Sequence, residues 1–247
     1  MTTRILLLAD IHGNFPALRA IAEILDPSSF DFIVNCGDSL VYAPFASETI
    51  DWLIDHRAIS ILGNTDKKVI KLLQGKSFKK PSKPEKRIMY TTAAEALGET
   101  EKNWLLALEE TKELLIPSPA AAEPPIKLGI FHGSPADPDE LLFVATPDER
   151  FHELAEETDC RIVVTGHSHS PYHKYLSGIH FINPGSVGRM FDGDPSAGCA
   201  TLEITASALS VRHYRLAYPL EEVVAAIHKN RLPEIYATMF QLGRKLN

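Results

Sequence analysis

The stretch RILLLADIHGN, residues 4–14, combines an apolar strand with a polar end, and the fold is predicted from this combination. Residues 4–10 form a largely apolar run that ends in an aspartate, which is typical of a buried strand in a parallel sheet. Asp10 and His12 lie two residues apart, and in an extended chain residues at that spacing point the same way. We therefore expect a strand whose carboxyl end presents a carboxylate and an imidazole together.

Along most of the chain, short apolar runs alternate with amphipathic segments. Further strands are predicted at 31–38, 58–64, 126–133 and 160–169, and helices at 14–25, 44–56 and 147–158. This alternation favours an α/β fold with largely parallel pairing. Beyond residue 172 the strands are shorter and the turns tighter, which indicates antiparallel pairs. We expect a parallel and an antiparallel half to form two packed sheets with helices outside. The last two helices are predicted at 219–230 and 233–246.

The least regular part of the sequence is 76–125. Its first stretch, 76–87, carries six Lys or Arg residues, one Glu and two prolines, and is predicted to be a loop. Residues 101–115 look helical at first and then turn into a strand, and 117–125 form a proline-rich connector. No boundary divides the chain cleanly, so we expect a single domain, 1–247, with 76–125 as an inserted cap-like segment. Two readings of the basic run stay open: it draws a polyanionic substrate to a site, or it is simply solvated.

Composition excludes several classes of protein. The 247 residues are 45% hydrophobic and 23% charged, an ordinary globular composition, and the formal charge of −7 argues against general nucleic-acid binding. The three cysteines are scattered and odd in number, which predicts no disulfide framework and a reducing compartment. No apolar run is long enough for a membrane span or a signal peptide. We expect a soluble, cytoplasmic protein without a membrane partner.

The predicted strand ends collect nearly all the candidate metal ligands. In an open α/β sheet the crevice beyond the carboxyl ends of the strands gathers ligands, and five successive ends here supply Asp, Asn or His. The candidates are Asp10, His12, Asp38, Asn64, His132, His167 and His169. Each alone has an ordinary explanation as a turn former or a buried histidine. Together they suit two octahedral ions that share a carboxylate, and mixed oxygen and nitrogen donors without cysteine favour manganese, iron or zinc over a structural zinc site.

The motifs Asp-x-His, Gly-Asp, Gly-Asn-x-Asp, His-Gly and Gly-His-x-His occur in this order. They resemble the calcineurin-like metallophosphoesterase superfamily, and the sequence NPGSVG at 183–188 resembles its compact prokaryotic YfcE-like phosphodiesterase branch. The resemblance extends from about residue 4 to about residue 215. It implies a four-layer αββα sandwich, the metallo-dependent phosphatase fold, in which two mixed β-sheets are flanked by helices.

The resemblance also implies how the ligands divide between two divalent ions. The first ion would take Asp10, His12, Asp38 and His169, and the second Asp38, Asn64, His132 and His167, with Asp38 bridging. A hydroxide held between the ions would be the nucleophile, because bound metals lower the pKa of water from near 16 to about 7.

One position departs from the superfamily pattern. The third motif usually contains a histidine that stabilises the transition state or protonates the leaving group, and Thr65 stands there instead. The YfcE-like branch also tends to lack this histidine. The general acid is therefore unassigned, since Asp66 near two cations should stay ionised and is expected to orient its neighbours. The predicted catalytic residues are Asp38, Asn64 and Asp66.

Two residues are predicted to contact substrate. Asn64 is expected to contact the substrate beside the second ion, which it also ligates. Arg189 either meets a substrate phosphate bidentately or forms a surface ion pair with Asp192 or Asp194; both stay open.

The expected function is that of a metal-dependent phosphodiesterase acting on a small phosphodiester or a nucleotide. A dinucleoside-polyphosphate (Ap4A-type) hydrolase is the alternative, because related proteins of similar length with a comparable insert act on such nucleotides. A third alternative is a non-catalytic binding protein, as the retromer subunit of this fold is. General acid catalysis contributes roughly 10²–10⁴-fold, so its absence predicts a preference for activated or phosphoanhydride-type leaving groups over alkyl phosphates.

Overall fold

The computed structural model describes residues 2–77, 79–118 and 124–247. Within these ranges the strands are β1 (Thr3–Leu8), β2 (Phe32–Asn35), β3 (Ile59–Ser60), β4 (Thr111–Ile116), β5 (Ile126–Phe131), β6 (Ile162–Val164), β7 (Tyr172–Leu176), β8 (Ile179–Asn183), β9 (Ala197–Ile204) and β10 (Leu209–Leu216). The α-helices are α1 (Phe15–Leu25), α2 (Ala46–Asp55), α3 (Asn64–Leu73), α4 (Pro84–Ala96), α5 (Glu99–Leu106), α6 (Asp148–Glu156), α7 (Leu220–Lys229) and α8 (Glu234–Leu242).

The strands form two mixed, five-stranded sheets. The first has the order β10-β9-β1-β2-β3 and the second the order β4-β5-β6-β8-β7. In each sheet three neighbouring strands pair in parallel, and the remaining two pairings are antiparallel. The predicted pair of mixed sheets flanked by helices is confirmed. The expectation that each half of the chain would form its own sheet is wrong, because β9 pairs along β1, with Ile5 opposite Leu202.

Alternation along β1 shows how the layers are held together. Ile5 and Leu7 lie in the apolar cluster between the two sheets, whereas Leu6 and Leu8 lie in the cluster between the first sheet and its helices. Successive side chains of a strand point to opposite faces, so a strand buried on both faces reads as one continuous apolar run. A third cluster, which includes Phe151 of α6, packs on the outer face of the second sheet. The result is a four-layer sandwich.

Several strands end earlier than predicted, and their polar ends are turns. Asp10, His12, Asp38, His167 and His169 have φ between 52° and 63°. This left-handed region cannot continue a strand and is uncommon for residues other than glycine. Asp10 and His12 therefore do not converge by extended-strand alternation, as the sequence argument assumed. Left-handed turns aim them, and residues held in this region cluster at functional sites.

Segment 76–125 is more regular than predicted. Helix α4 begins at Pro84, a favoured residue for a first helical turn, so the loop prediction for 76–87 is wrong at its last four residues. The helix-then-strand prediction for 101–115 is met by α5 and β4, and β4 pairs antiparallel with β5. Part of the proline-rich connector, 119–123, lies outside the described residues. The cap-like role of the segment stays a prediction.

The C-terminal part of the chain is helical, as expected. Helix α8 ends at Leu242 rather than continuing to 246, because Gly243, which caps it, adopts a left-handed conformation with φ 56°. Among the described residues, no helix is both long and apolar enough to cross a lipid bilayer. All three cysteines are buried and unpaired.

Candidate metal centre

The turns that carry the candidate ligands are fastened to one another through the backbone. The Asp10 N–H donates to the Gly37 carbonyl at 3.0 Å, and the His12 N–H donates to the Asp38 carbonyl at 2.9 Å. The Gly188 N–H donates to the Asp10 carbonyl at 3.0 Å. The turn after β1 is therefore fixed between the turn after β2 and the chain after β8, so the positions of its side chains are set by main-chain hydrogen bonds.

Six of the seven predicted ligands form two clusters. Asp10, His12 and His169 make up the first, and Asp38, His132 and His167 the second; within each cluster the possible ligand atoms lie within 4.8 Å of one another. In the first cluster, His169 Nε2 lies 3.4 Å from Asp10 Oδ1 and 3.2 Å from His12 Nε2.

Asp38 lies between the clusters. Its Oδ2 is 3.9 Å from His12 Nε2, and its Oδ1 is 3.6 Å from His132 Nε2. Asn64, the seventh predicted ligand, places its Oδ1 3.4 Å from His132 Nε2. One carboxylate thus has an oxygen directed toward each cluster, which is the geometry a bridging ligand needs.

Main-chain carbonyls set the tautomers of three histidines. Nδ1 of His12 lies 3.3 Å from the Leu40 carbonyl, Nδ1 of His132 lies 2.8 Å from the Cys36 carbonyl, and Nδ1 of His169 is bonded to the Arg189 carbonyl. Because a carbonyl only accepts, each Nδ1 carries the proton and each Nε2 keeps a lone pair in the neutral ring. Burial lowers the pKa of His12 and of His169 well below the ordinary value, which favours that neutral ring. Such outer contacts are typical of metal-ligating histidines.

The buried carboxylates fit divalent cations. Asp10 is fully buried and Asp38 is 2% exposed. Burial first, and then the charge of Asp38, raise the pKa of Asp10 well above its ordinary value. No lysine or arginine of the described ranges lies within 4.0 Å of either carboxylate. Bringing two such groups together is costly without a cation, and the imidazole lone pairs and carboxylate oxygens here are donors that Mn²⁺, iron or Zn²⁺ accept.

Thr65 and Asp66 hold the neighbouring loops in place. The Thr65 hydroxyl donates to the Leu40 carbonyl at 3.2 Å. The Asp66 carboxylate accepts the N–H groups of Ser39, Leu40 and Gly63, each at 3.1 Å, and is fully buried. Burial, followed by the charge of Asp38, raises the pKa of Asp66 to about 7. These contacts fix the loops around the candidate ligands, and the orienting role expected of Asp66 stays a prediction.

Two glycines allow the turn after β2 to approach the start of α3. A Cβ on Gly63 would lie 2.1 Å from Asp38 Oδ1 and 2.2 Å from the Asp38 amide nitrogen. Gly37 has φ 89°, and a Cβ there would lie 2.5 Å from the Gly63 nitrogen. The close approach lets the Thr65 N–H, in the first turn of α3, donate to Asp38 Oδ1 at 2.7 Å. The positive end of the helix dipole thereby stabilises the carboxylate.

A cavity of about 240 Å³ opens above both clusters. It is lined by His12, Asp38, Tyr42, Asn64, Thr65, Lys86, Leu141, His167, His169, Arg189, Phe191, Lys245 and Asn247.

Arg189 belongs to this cavity and not to the surface. Its side chain is 8% exposed, and its guanidinium carbon lies 3.8 Å from the centre of the Tyr42 ring. The alternative of a surface ion pair is wrong, because Arg215 occupies Asp192 and Asp194 instead.

Comparison with known proteins identifies the family. The family model described as the calcineurin-like phosphoesterase superfamily domain matches residues 3–207. The chain belongs to this superfamily. The predicted resemblance at superfamily level is thus confirmed.

Relatives of this phosphoesterase-superfamily protein match it over nearly the whole chain. The uncharacterized protein MJ0912 of Methanocaldococcus jannaschii is 26% identical and covers 97% of this chain and 98% of its own length. The metallophosphoesterase of Sphaerobacter thermophilus superposes with a TM-score of 0.77 at 24% identity, over 98% of this chain and 99% of its own. The hypothetical protein PH1004 of Pyrococcus horikoshii OT3 superposes with a TM-score of 0.82 at 18% identity, over 99% of this chain and 100% of its own. The structural matches show the same fold.

Several residues of this phosphoesterase-superfamily site lie outside the ligand motifs and were not predicted from the sequence. The Tyr42 ring meets the His12 ring edge-on at 5.1 Å, and Phe191 stacks on His169 at 4.4 Å. Lys245 reaches the cavity from beyond α8. None of the three belongs to a ligand motif. The only signal for Tyr42 and Phe191 is their nearness in sequence to motif residues, and Lys245 has none.

Proposed function

We propose that this protein is a phosphodiesterase that works with two divalent ions, one held by each cluster. The observation that carries the proposal is the position of Asp38, with Oδ1 3.6 Å from His132 Nε2 and Oδ2 3.9 Å from His12 Nε2. Membership of the calcineurin-like phosphoesterase superfamily supports phosphoester hydrolysis as the reaction class. Ions bound in such a pair supply an activated water and offset charge on the phosphate group.

The chain's own residues would hold and orient the substrate. The Arg189 guanidinium is fixed over the Tyr42 ring and lies 5.2 Å from the centre of the Phe191 ring. A planar guanidinium held in this way presents its donors in a fixed fork that matches two phosphate oxygens. Asn64, at the start of α3, lines the same cavity and is proposed to contact the phosphate beside its metal.

The leaving group receives little help from the position where the superfamily often has histidine. The Thr65 hydroxyl already donates to the Leu40 carbonyl, and Asp66 is enclosed by three backbone N–H groups. Neither therefore offers a proton to a departing oxygen. Esters whose leaving groups are weak bases need that proton least, so aryl esters and phosphoanhydrides are the preferred substrates.

This same preference favours one second candidate, a dinucleoside-polyphosphate hydrolase. Its leaving group is a nucleotide phosphate, which departs without a strong general acid. A putative diadenosine tetraphosphatase shares the fold, with a TM-score of 0.54 at 17% identity.

The proposal is tested by loading the protein separately with Mn²⁺, Co²⁺ and Zn²⁺. Metal content and hydrolysis of an aryl phosphodiester, an aryl monoester and a dinucleoside polyphosphate are then measured. We expect about two ions per chain and the highest kcat/KM on the diester; a preference for the dinucleoside polyphosphate would select the second candidate. No bound metal and no hydrolysis under any loading would refute both.

Two variants separate the clusters in the same experiment. Asp38→Ala should remove both ions, because its carboxylate faces both clusters, whereas Asn64→Ala should weaken mainly the ion beside His132. Asp148→Asn is the matched control, since Asp148 is an exposed carboxylate paired with Lys174 at 2.6 Å and belongs to no group of side chains that could hold a metal ion among the described residues. It should keep the metal content of the unaltered protein.

A further inference from the structure

Two lysines from distant parts of the sequence meet in the cavity above the clusters. Lys86 lies in the first turn of α4, within the segment predicted to be cap-like, and Lys245 follows α8. Both line the cavity together with Arg189 and Asn247. The site therefore has more cationic groups than the ligand motifs account for.

Neither lysine has an acidic partner in the described ranges, 2–77, 79–118 and 124–247, where no ion pair within 4.0 Å involves either one. Four lysines of the described ranges do form ion pairs: Lys67 with Glu110, Lys102 with Glu99, Lys127 with Asp159 and Lys174 with Asp148. Burial first, and then the charges of Lys245 and Arg189, lower the pKa of Lys86. Lys86 is half-buried and Lys245 is exposed, and cations that lie close enough to repel one another are stabilised by an anion placed between them.

Both lysines are attached to well-anchored backbone. Helix α4 buries Met89 and Tyr90 in the core cluster that covers the first sheet. The chain after α8 turns back at Gly243, where the Arg244 N–H donates to the Met239 carbonyl at 3.3 Å. Asn247 Nδ2 then donates to the Tyr236 hydroxyl at 3.2 Å. The two ammonium groups are thus presented from fixed elements, which lowers the entropic cost of using them for binding.

We propose that Lys86 and Lys245 bind a second, non-scissile phosphate group of the substrate. The inference rests on the proposed function, because the scissile phosphate must lie at the two clusters and Arg189. A simple diester carries one negative charge, which the two ions and Arg189 are sufficient to neutralise. A terminal phosphate carries about −1.5 to −2 at pH 7, which matches the two further ammonium groups. The substrate class is therefore a phosphodiester that bears an additional phosphate monoester.

A matched pair of substrates tests this assignment. The 4-nitrophenyl ester of thymidine 5′-phosphate and the same ester with a 3′-phosphate differ only in the additional phosphate. We expect the unaltered, metal-loaded protein to have the higher kcat/KM on the 3′-phosphorylated ester. Lys86→Gln and Lys245→Gln should each lower the ratio of the two kcat/KM values about threefold to tenfold, through KM. Lys83→Gln removes the same charge from the exposed start of α4, outside the cavity, and should leave the ratio unchanged.

A binding measurement keeps the two proposals distinguishable. Calorimetry on the purified protein gives the Kd of thymidine 3′,5′-bisphosphate and of thymidine 5′-monophosphate. The bisphosphate should bind more tightly, and the ratio of the two Kd values should be smaller in each of the two lysine variants. Hydrolysis of neither ester, with this binding pattern intact, would refute the proposed function and leave the second-phosphate site standing. Equal affinity for the two ligands, or a ratio that Lys83→Gln lowers as much as Lys86→Gln does, would overturn the site.

Discussion

Thr65 shows how a single residue shapes the chemistry that the site offers. Its amide donates to Asp38 Oδ1 at 2.7 Å, and its hydroxyl donates to the same Leu40 carbonyl that faces His12 Nδ1. The residue thereby supports one carboxylate and one imidazole of the candidate metal centre at once. A side chain committed to these contacts is not free to protonate a leaving group.

We predict a steep dependence of kcat on the leaving group. Across aryl and alkyl phosphodiesters of graded leaving-group pKa, log kcat should fall strongly as that pKa rises, because no proton donor compensates for a poor leaving group. Thr65→Val should keep the same slope, since the Thr65 hydroxyl points to a carbonyl. It should lower the free energy of unfolding by about 1 kcal/mol for the lost hydrogen bond. A flat dependence on leaving-group pKa would contradict the assignment.

At the scale of elements, the site depends on how closely the turn after β2 approaches α3. Gly63 has φ −92° and ψ 178°, a conformation that alanine adopts freely. Glycine is therefore needed here because a side chain would clash with its neighbours, not because of the backbone conformation. The nearest neighbours of a Cβ there include the Asp38 backbone nitrogen at 2.2 Å, which cannot move away as a flexible side chain would.

We therefore predict that Gly63→Ala costs about 1–3 kcal/mol of unfolding free energy through overpacking, together with loss of bound metal. Urea denaturation and metal analysis measure the two effects. Gly75→Ala is the matched control, because Gly75 has φ 69° and a Cβ added to it would meet nothing within 4 Å. This variant shows the effect of backbone strain in the absence of a steric clash. Normal metal content in Gly63→Ala would show that the approach of α3 to Asp38 is not required.

The antiparallel pair β7–β8 carries a pH-sensitive contact away from the site. His173 Nε2 lies 2.9 Å from His180 Nδ1, and burial, followed by the charge of His173, lowers the pKa of His180 to about 4. In the unfolded chain a histidine titrates near 6.5. Between these values the unfolded state binds more protons, so stability present above pH 6.5 is lost as the pH falls toward 4.

The contribution should be under about 1 kcal/mol, because both imidazoles are partly exposed and solvent screens them. Urea denaturation at pH 7 and pH 5 should show a smaller acid-induced loss for His180→Gln than for the unaltered protein. Equal losses in the two proteins would mean that this pair does not titrate on unfolding.

On the scale of the whole molecule, residues in local motifs could be predicted and residues assembled by packing could not. Asp38 and His132 were predictable because each stands beside a glycine at a strand end. Tyr42 and Lys245 were not, since they reach the cavity only through the folding of distant segments. The place of β9 in the first sheet could not be predicted for the same reason, because its pairing with β1 joins residues from opposite ends of the chain.

The candidate ligands also connect the two sheets. Asp10, His12 and Asp38 follow strands of the first sheet, whereas His132 and His169 follow strands of the second, and each cluster contains residues from both. A bound ion would therefore link the sheets at their carboxyl edges. Since the ligands assemble only in the folded chain, binding should stabilise that state as a whole.

We predict that divalent metal raises the melting temperature of the protein. At a free metal concentration 100 times Kd, one ion adds about 2.7 kcal/mol, and about 2–4 °C accompanies each kcal/mol in a domain of this size. Removal of metal with a chelator should thus lower Tm by about 5–10 °C, and re-addition of Mn²⁺ or Zn²⁺ should restore it. In Asp38→Ala the shift should largely vanish, because both clusters lose their shared carboxylate. If metal analysis finds ions bound to the unaltered protein while its Tm is the same with and without chelator, the ions do not join the two sheets.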